Sequence, residues 1–189
     1  MVVTGIPGTG KSTVCNELLK LAKHSGKKMS LINFGSVMVE LSKKQGKILH
    51  RDKLRKSELI FQHDLQTEAA ESIAQKIAEA DGDVIIDTHM SIKTTNGYLA
   101  GLPSHILQIL KPNLFVLVEA EPTEVLSRRL KDTTRERDKT LEDEIAEEFL
   151  FSRLIAASCA VLTGAPVKIV KNPSGKQIEA ADEILKLLE

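Results

Sequence analysis

The sequence has few aromatic residues and few cysteines. Among its 189 residues there are no tryptophans, one tyrosine, five phenylalanines and two cysteines. Two cysteines so far apart do not supply the disulfide framework of a small secreted domain, so we expect Cys15 and Cys159 to be reduced and buried, with a disulfide between them as the minor alternative. The composition therefore excludes a disulfide-stabilised scaffold and favours an intracellular protein.

The chain also lacks an excess of either charge and lacks a long apolar run. It carries 26 basic and 26 acidic residues, so its formal net charge is zero. The overall charge therefore does not favour nucleic acid or an anionic membrane as a partner, and any cationic surface must be local. No run approaches the roughly 20 apolar residues of a membrane-spanning helix. Because a strand pattern begins at the first residues, we expect no signal peptide and a cytoplasmic protein.

Strand and helix patterns alternate along the whole chain. The strand patterns cover residues 1–4, 28–34, 83–87, 114–119 and 167–170. This alternation is typical of a parallel sheet covered by helices. A chain of this length is long enough for one substantial core and short for two. The sequence therefore predicts a single α/β domain over residues 1–189, a three-layer sandwich around a five-stranded parallel sheet.

A glycine-rich motif follows the first strand directly. Residues 5–12 read G-I-P-G-T-G-K-S, the phosphate-binding loop of the P-loop NTPase fold, with a strand before it and a helix after it. Its glycines let successive N–H groups face phosphate oxygens, at the positive end of the next helix. Lys11 would reach the β- and γ-phosphates, and the Ser12 hydroxyl can ligate Mg²⁺. The candidate contacts to a nucleoside triphosphate are Gly5, Ile6, Pro7, Gly8, Thr9, Gly10, Lys11, Ser12 and Thr13.

A second group of candidate residues follows the buried strand at 83–87. Asp87 ends that strand, where P-loop proteins carry the acid that holds the Mg²⁺ shell, usually through water. A strand-end aspartate that caps a turn is the alternative. His89 is expected at the carboxyl edge of the sheet, where it either contacts substrate or is a neutral structural imidazole. The sequence thus predicts a Mg²⁺ site that uses Ser12 and, through water, Asp87.

Five cations lie within the ten residues that begin at Arg128, where a helix is predicted to end. Phosphoryl transfer needs positive charge around the transferred group and exclusion of water. We therefore expect a short lid at about 128–139 that contains Arg135 and Arg137, rather than a solvated loop. Arg153, on the next helix, is expected to reach toward the same phosphates.

A second basic stretch follows the second strand. Residues 43–56 contain seven basic residues and one acid. Arg51 and Arg55 are four apart, so a helix would place both guanidinium groups on one face, which suits an acceptor phosphate. The lysines are more typical of a solvated surface. The sequence thus predicts a helical insertion at about 35–80 that binds the acceptor.

Several motifs across the chain resemble the archaeal type of adenylate kinase. They read G-I-P-G at 5–8, N-F-G at 33–35, D-T-H at 87–89, G-Y-L-A-G-L-P at 97–103 and D-T-T-R at 132–135. The last two are specific to that family. The resemblance implies exchange of a phosphoryl group between ATP and AMP to give two ADP, with Mg²⁺, and a homotrimer.

The resemblance also implies substrate contacts. It places Arg128, Asn172 and Pro173 beside the adenine of ATP. The implied AMP contacts are Phe34, Gly35, Arg51, Arg55, Asp87, Thr88, His89, Lys93, Gly97, Tyr98 and Gly101. The candidate catalytic cations are Lys11, Arg128, Arg135, Arg137 and Arg153. We expect no general base, because AMP already presents a phosphate oxygen as the nucleophile and catalysis then needs placement and charge neutralisation.

Two other functions stay open from the sequence. One is a different small P-loop kinase, which would act on another nucleoside monophosphate or on a small hydroxylated metabolite. The other is a nucleotide-dependent regulatory or RNA-associated ATPase, which would use the basic residues at 43–56 for RNA or a protein partner. The arginines after residue 127 argue against the second, because a pure switch has less need of a phosphate clamp.

Overall fold

Five parallel strands form the central sheet of the computed structural model, which describes residues 1–46, 59–94, 97–131 and 141–188. In these ranges the strands are β1 (Val2–Thr4), β2 (Met29–Asn33), β3 (Asp83–Asp87), β4 (Ser91–Thr94), β5 (Gly97–Ala100), β6 (Phe115–Glu119) and β7 (Val167–Lys171). The helices are α1 (Lys11–His24), α2 (Phe34–Lys44), α3 (Leu59–Glu79), α4 (Ser104–Leu110), α5 (Pro122–Lys131), α6 (Glu142–Thr163) and α7 (Gln177–Lys186). The five predicted strands are confirmed.

The order of strands in this sheet is β2-β3-β1-β6-β7. The central strand β1 is parallel to both neighbours, with Val2 opposite Ile86 on one side and Phe115 on the other. The chain leaves β1 toward β2 and β3 on one side and later places β6 on the other. The carboxyl end of β1 is therefore the point where strand order reverses, and open α/β sheets bind their ligands at such points.

Side chains that alternate along the strands build one core on each face of the sheet. Val3 and Val116 pack with α1 and α7, whereas Val2 and Phe115 pack with α2, α3, α4 and α6. All four side chains are fully buried. Because successive residues of a strand point to opposite faces, a strand buried on both faces is apolar throughout. The predicted three-layer sandwich is confirmed.

A third, smaller core lies under α5 and the start of α6. It contains Ile6 of the phosphate loop together with Ala120, Val125, Ile145 and Phe149. Burial of Ile6 in this cluster ties the loop to the two helices that stand on either side of residues 132–140.

Between β3 and β6, where the sequence predicts no element, the described residues form two strands and a helix. Strands β4 and β5 form an antiparallel pair in which Ser91 lies opposite Ala100 and Lys93 opposite Tyr98. Helix α4 follows after Pro103. Each strand has only four residues, and three of the four in β4 are polar, so neither gives the long apolar pattern of the central strands.

The cysteines are free and buried, as expected, in the cores on opposite faces of the sheet. Burial raises the pKa of Cys15 to about 11, so its thiol is protonated at neutral pH. No helix in the described ranges is both long enough and apolar enough to cross a membrane.

Candidate active site

The phosphate loop turns from β1 into α1 through two glycines in the left-handed region. Gly8 has φ 96° and Gly10 has φ 80°, conformations that residues with a Cβ rarely adopt. A Cβ on Gly10 would lie 2.6 Å from Asn172 Nδ2, so the space is also closed. Helix α1 begins at Lys11 with no acidic residue in its first turn, which leaves the positive end of its dipole available to an anion.

Side chains from outside the loop bind its carbonyl groups. Arg128 Nη1 donates to Gly8 O at 3.4 Å and to Thr9 O at 3.2 Å, and Asn172 Nδ2 donates to Thr9 O at 2.8 Å. The other terminal nitrogen of Arg128 donates to Asn172 O at 3.1 Å. The sequence predicts that both residues contact ATP, and the structure brings them together at the carbonyl groups of Gly8 and Thr9.

Lys11 and Asp87 form a buried ion pair at the carboxyl ends of β1 and β3. Lys11 Nζ contacts Asp87 Oδ1 directly, and the two residues are 7% and 3% exposed. Asn33 Nδ2 donates to Asp87 Oδ2 at 2.6 Å, while Asn33 Oδ1 caps α2 by accepting from the Ser36 amide at 2.9 Å. The carboxylate of Asp87 thus binds a cation and a side-chain amide, which are not the contacts of an aspartate that caps a turn.

His89 lies against the start of the phosphate loop. Its Nδ1 donates to Gly5 O at 2.9 Å. A carbonyl oxygen only accepts, so this bond requires the proton on Nδ1. Thr88 is buried, and its amide donates to Val3 O at 3.1 Å. The geometry gives His89 a structural contact and leaves a substrate contact as a prediction.

The other predicted AMP contacts lie on α2 and on the β4–β5 pair. Phe34 is buried in the core, and Gly35 follows it in the first turn of α2. Lys93 Nζ donates to Glu144 Oε2 at 2.9 Å, so its ammonium group faces α6. Gly97 begins β5, and the Gly101 amide donates to Met90 O at 2.8 Å, which closes the base of the pair.

Tyr98 also faces α6. Its ring stacks on Phe151 with centroids 4.1 Å apart, and its hydroxyl donates to Glu147 Oε2 at 3.3 Å. Burial and the neighbouring Glu147 and Glu148 raise the pKa of Tyr98 to about 12. The side chains of Lys93 and Tyr98 are thus directed to α6, whereas Asp87 and Lys11 are directed to each other.

Glu119 was not predicted, and it organises the cations at the end of β6. Arg153 donates to both of its carboxylate oxygens, at 2.8 and 2.6 Å, and Lys171 Nζ donates at 3.1 Å. Burial raises the pKa of Glu119, but the bonds from Arg153 and Lys171 outweigh burial and lower it below its usual value. A single acid at the end of a buried strand was the available signal, the same one that identified Asp87.

The remaining predicted residues are less informative. Ser12 and Thr13 are exposed in the first turn of α1, and Pro173 is exposed after β7. Arg51 and Arg55, and likewise Arg135 and Arg137, lie outside the described residues.

Fold and site together define a P-loop nucleotide-binding enzyme of the small-kinase type. Residues 4–146 match a family model described as an AAA domain. The chain is similar over its full length to adenylate kinases of Methanocaldococcus jannaschii, with 42% identity and 97% of that protein covered, and of Pyrococcus furiosus, with 40% identity and 94% covered. The chain therefore belongs to the adenylate kinase family, the ATP:AMP phosphotransferases, and the resemblance seen in its motifs is confirmed.

Solved structures of more distant enzymes share the fold. Shikimate kinase from Acinetobacter baumannii, in complex with shikimate, superposes with a TM-score of 0.61 at 16% identity, over 99% of this chain and 90% of that one. Shikimate kinase from Bacteroides thetaiotaomicron gives a TM-score of 0.61 at 13% identity, over 99% and 96%. At such low identity these matches establish the P-loop kinase fold alone.

Proposed function

We propose that residues 5–13 hold the phosphates of ATP while its γ-phosphoryl group passes to AMP, giving two ADP. The observation that carries this proposal is the buried Lys11–Asp87 pair beside the loop. A buried ammonium group requires an anionic partner. Phosphate oxygens that reach the loop offer Lys11 a second anionic partner, so its ammonium group can move from Asp87 to the nucleotide.

Oxygen ligands suit Mg²⁺, a hard cation that keeps several waters and is bound by few protein groups. The Ser12 hydroxyl and, through water, the Asp87 carboxylate would hold it. Within the described ranges no three histidine, cysteine, aspartate or glutamate side chains are grouped so as to hold a metal ion, so ATP would supply other ligands. Bound there, Mg²⁺ would neutralise charge on the phosphate oxygens.

Positioning and charge account for the rest of the reaction. Attack by an AMP phosphate oxygen needs no proton removal, so we assign no general base. We assign Lys11, Arg128, Arg153 and the lid arginines Arg135 and Arg137 to charge stabilisation. Arg153 already donates twice to Glu119, so we expect it to reach substrate phosphates only by leaving that carboxylate.

The acceptor site would lie between the helical insertion and the β4–β5 pair. The insertion at about 35–80 includes α2 and α3, which are packed on the sheet. We assign AMP to Arg51 and Arg55, to Phe34 and Gly35, and to the stretch from Asp87 to Gly101. A lid at about 128–139 would begin within α5, since that helix extends to Lys131.

Exposed apolar residues on α6 support assembly of the protein into an oligomer, and its buried cysteines support a cytoplasmic location. Leu150, Leu154 and Val161 of α6 are 55%, 54% and 86% exposed, and their spacing places them on one side of the helix. Such an apolar row supports the homotrimer implied by the family resemblance. The free buried cysteines support a reducing, cytoplasmic location. Light scattering should show a trimer for the wild type and a smaller species for L154E/V161E.

A coupled assay tests the reaction directly. Purified protein with Mg-ATP is given AMP, CMP, UMP, GMP, dTMP or no acceptor, and ADP formation is followed. We expect ADP formation that depends on AMP and is much slower with the other monophosphates. Preference for another acceptor would favour a different small-substrate kinase. Slow loss of ATP that is indifferent to every acceptor would favour the regulatory ATPase.

A further inference from the structure

Arg129, the residue after Arg128 in α5, joins the phosphate loop to α6. Its Nε donates to Pro7 O at 2.8 Å, while Nη1 and Nη2 donate to the two carboxylate oxygens of Glu148 at 3.0 and 2.7 Å. The side chains of Arg129 and Glu148 are only 8% and 11% exposed. One guanidinium group thus makes a bidentate ion pair and a loop contact at the same time.

The stem of Arg129 also touches the loop. A Cβ built on Gly8 would lie 3.1 Å from Arg129 Cγ and 3.0 Å from Val125 Cγ1. The side chain therefore fills the space on one side of Gly8, and its head binds the carbonyl of the residue before. Together these contacts restrain both ends of the Pro7–Gly8 peptide.

The planarity of that peptide links the restraint to phosphate binding. In a trans peptide the C=O and the following N–H point in opposite directions. When Arg129 holds the Pro7 carbonyl on the α5 side, the Gly8 N–H is directed to the other side of the loop. A loop of this type binds phosphate oxygens through N–H groups that converge on its concave side.

A contribution to stability does not by itself explain why Arg129 and Glu148 form a buried ion pair. Replacing a buried ion pair by apolar residues of similar volume is often neutral or stabilising, because desolvation offsets the attraction between the charges. A hydrophobic pair could join α5 to α6, but it could not donate to Pro7 O. The feature that requires an arginine here is the third hydrogen bond, the one to the loop.

We propose that Arg129 is a positioning residue for the phosphate loop and that Glu148 in turn orients Arg129. The proposal rests on the proposed function only in taking a nucleoside triphosphate as the ligand of residues 5–13. Arg129 would act before any acceptor binds. Its loss should therefore weaken ATP binding and leave the KM for the acceptor nearly unchanged.

The decisive variant removes both charges. R129M alone leaves Glu148 buried without its partner, and it is expected to lower stability. R129M/E148L removes the unpaired charge and should melt within a few degrees of the wild type. Calorimetric titration with Mg-ATP should nonetheless give a Kd about tenfold higher for the double variant, as expected when one charge-assisted hydrogen bond is lost. R129K keeps the charge but loses the planar guanidinium group, so its Kd should lie between those of the wild type and R129M/E148L.

An exposed ion pair elsewhere provides the matched control. Lys168 and Glu183 are 2.8 Å apart and 43% and 44% exposed. K168M/E183L should change neither the melting temperature nor the ATP affinity appreciably.

A Kd for R129M/E148L within twofold of the wild type would overturn the proposal. Because the titration needs no acceptor, it separates the two ideas. R129M/E148L could bind ATP weakly while the wild type turns over ATP at a rate that does not depend on AMP. That result would contradict the proposed function and support the positioning role of Arg129. Unchanged ATP binding by R129M/E148L, together with AMP-dependent turnover by the wild type, would support the proposed function and contradict the positioning role of Arg129.

Discussion

The phosphate loop and the β4–β5 pair are both attached to the first turns of α6, through glutamates four residues apart. Glu148 receives Arg129 from the loop side, and Glu144 receives Lys93 from the β4–β5 side. The first pair is about 10% exposed, whereas the second is 43% and 39% exposed. Since solvent screens an exposed pair and a buried one must be satisfied, the loop side should tolerate far less change. One helix therefore supports the phosphate loop through a buried ion pair and the β4–β5 pair through an exposed one.

The largest expected effect lies on the loop side, at Lys11. K11M removes the positioned cation and leaves Asp87 buried with Asn33 as its partner. We expect kcat/KM to fall about a thousandfold, equivalent to about 4 kcal/mol of transition-state stabilisation. Initial rates with Mg-ATP and AMP measure this. K20M is the control, since Lys20 is on the same helix and 64% exposed in a pair with Glu17. Near-normal turnover of K11M would remove Lys11 from the mechanism.

The features recovered from the sequence are those whose cause is local. The phosphate loop is eight consecutive residues, and Asp87 directly ends an apolar strand. Arg129 was missed because its role depends on Pro7, 122 residues earlier, and on Glu148, 19 residues later. No sequence motif relates three positions that are so far apart along the chain.

The missed β4–β5 pair and Glu119 illustrate two other limits. The pair has four-residue strands whose Lys93 and Tyr98 are held by α6 rather than by an apolar core. Glu119 has the same sequence signal as Asp87, an acid after a buried strand. Only the fold shows that Arg153 and Lys171 converge on Glu119 whereas Lys11 pairs with Asp87. Because different cations pair with the two acids, the sequence signal alone does not assign their roles.

The second largest effect concerns stability, at Glu119. Since the pKa of Glu119 is lowered in the folded state, its ionised form contributes stability above the usual glutamate pKa and loses it as the pH falls through the lowered value. E119Q should therefore cost about 2 kcal/mol at pH 7, and the difference should shrink below about pH 4. Urea unfolding of both proteins at several pH values measures this, with E183Q as the exposed control. A gap that stays constant down to pH 3 would contradict the assignment.

A smaller loss is expected from a single methyl group in the loop. G8A places a Cβ in the left-handed region and about 3 Å from Val125 and Arg129. We expect a loss of about 1–2 kcal/mol in stability and weaker ATP binding. G26A is the matched control, because Gly26 has φ +73° and a Cβ added there would have no atom of the described residues within 4 Å. Equal ATP affinities of the two variants would show that neither the backbone conformation of Gly8 nor its contact with α5 affects ATP binding.

The smallest effect would distinguish the two roles open to Lys93. As an exposed ion pair, Lys93 and Glu144 should contribute under about 0.5 kcal/mol to stability, so neither K93M nor E144Q should shift the melting temperature much. If Lys93 also contacts AMP, K93M should raise the KM for AMP a few fold, whereas E144Q, which removes the negative charge beside the ammonium group, should leave it unchanged or lower it. Initial rates at saturating ATP measure both variants. Equal rises in the two would mean that the pair acts by holding the β4–β5 strands to α6, and the acceptor side would then depend on α6 as the loop side does.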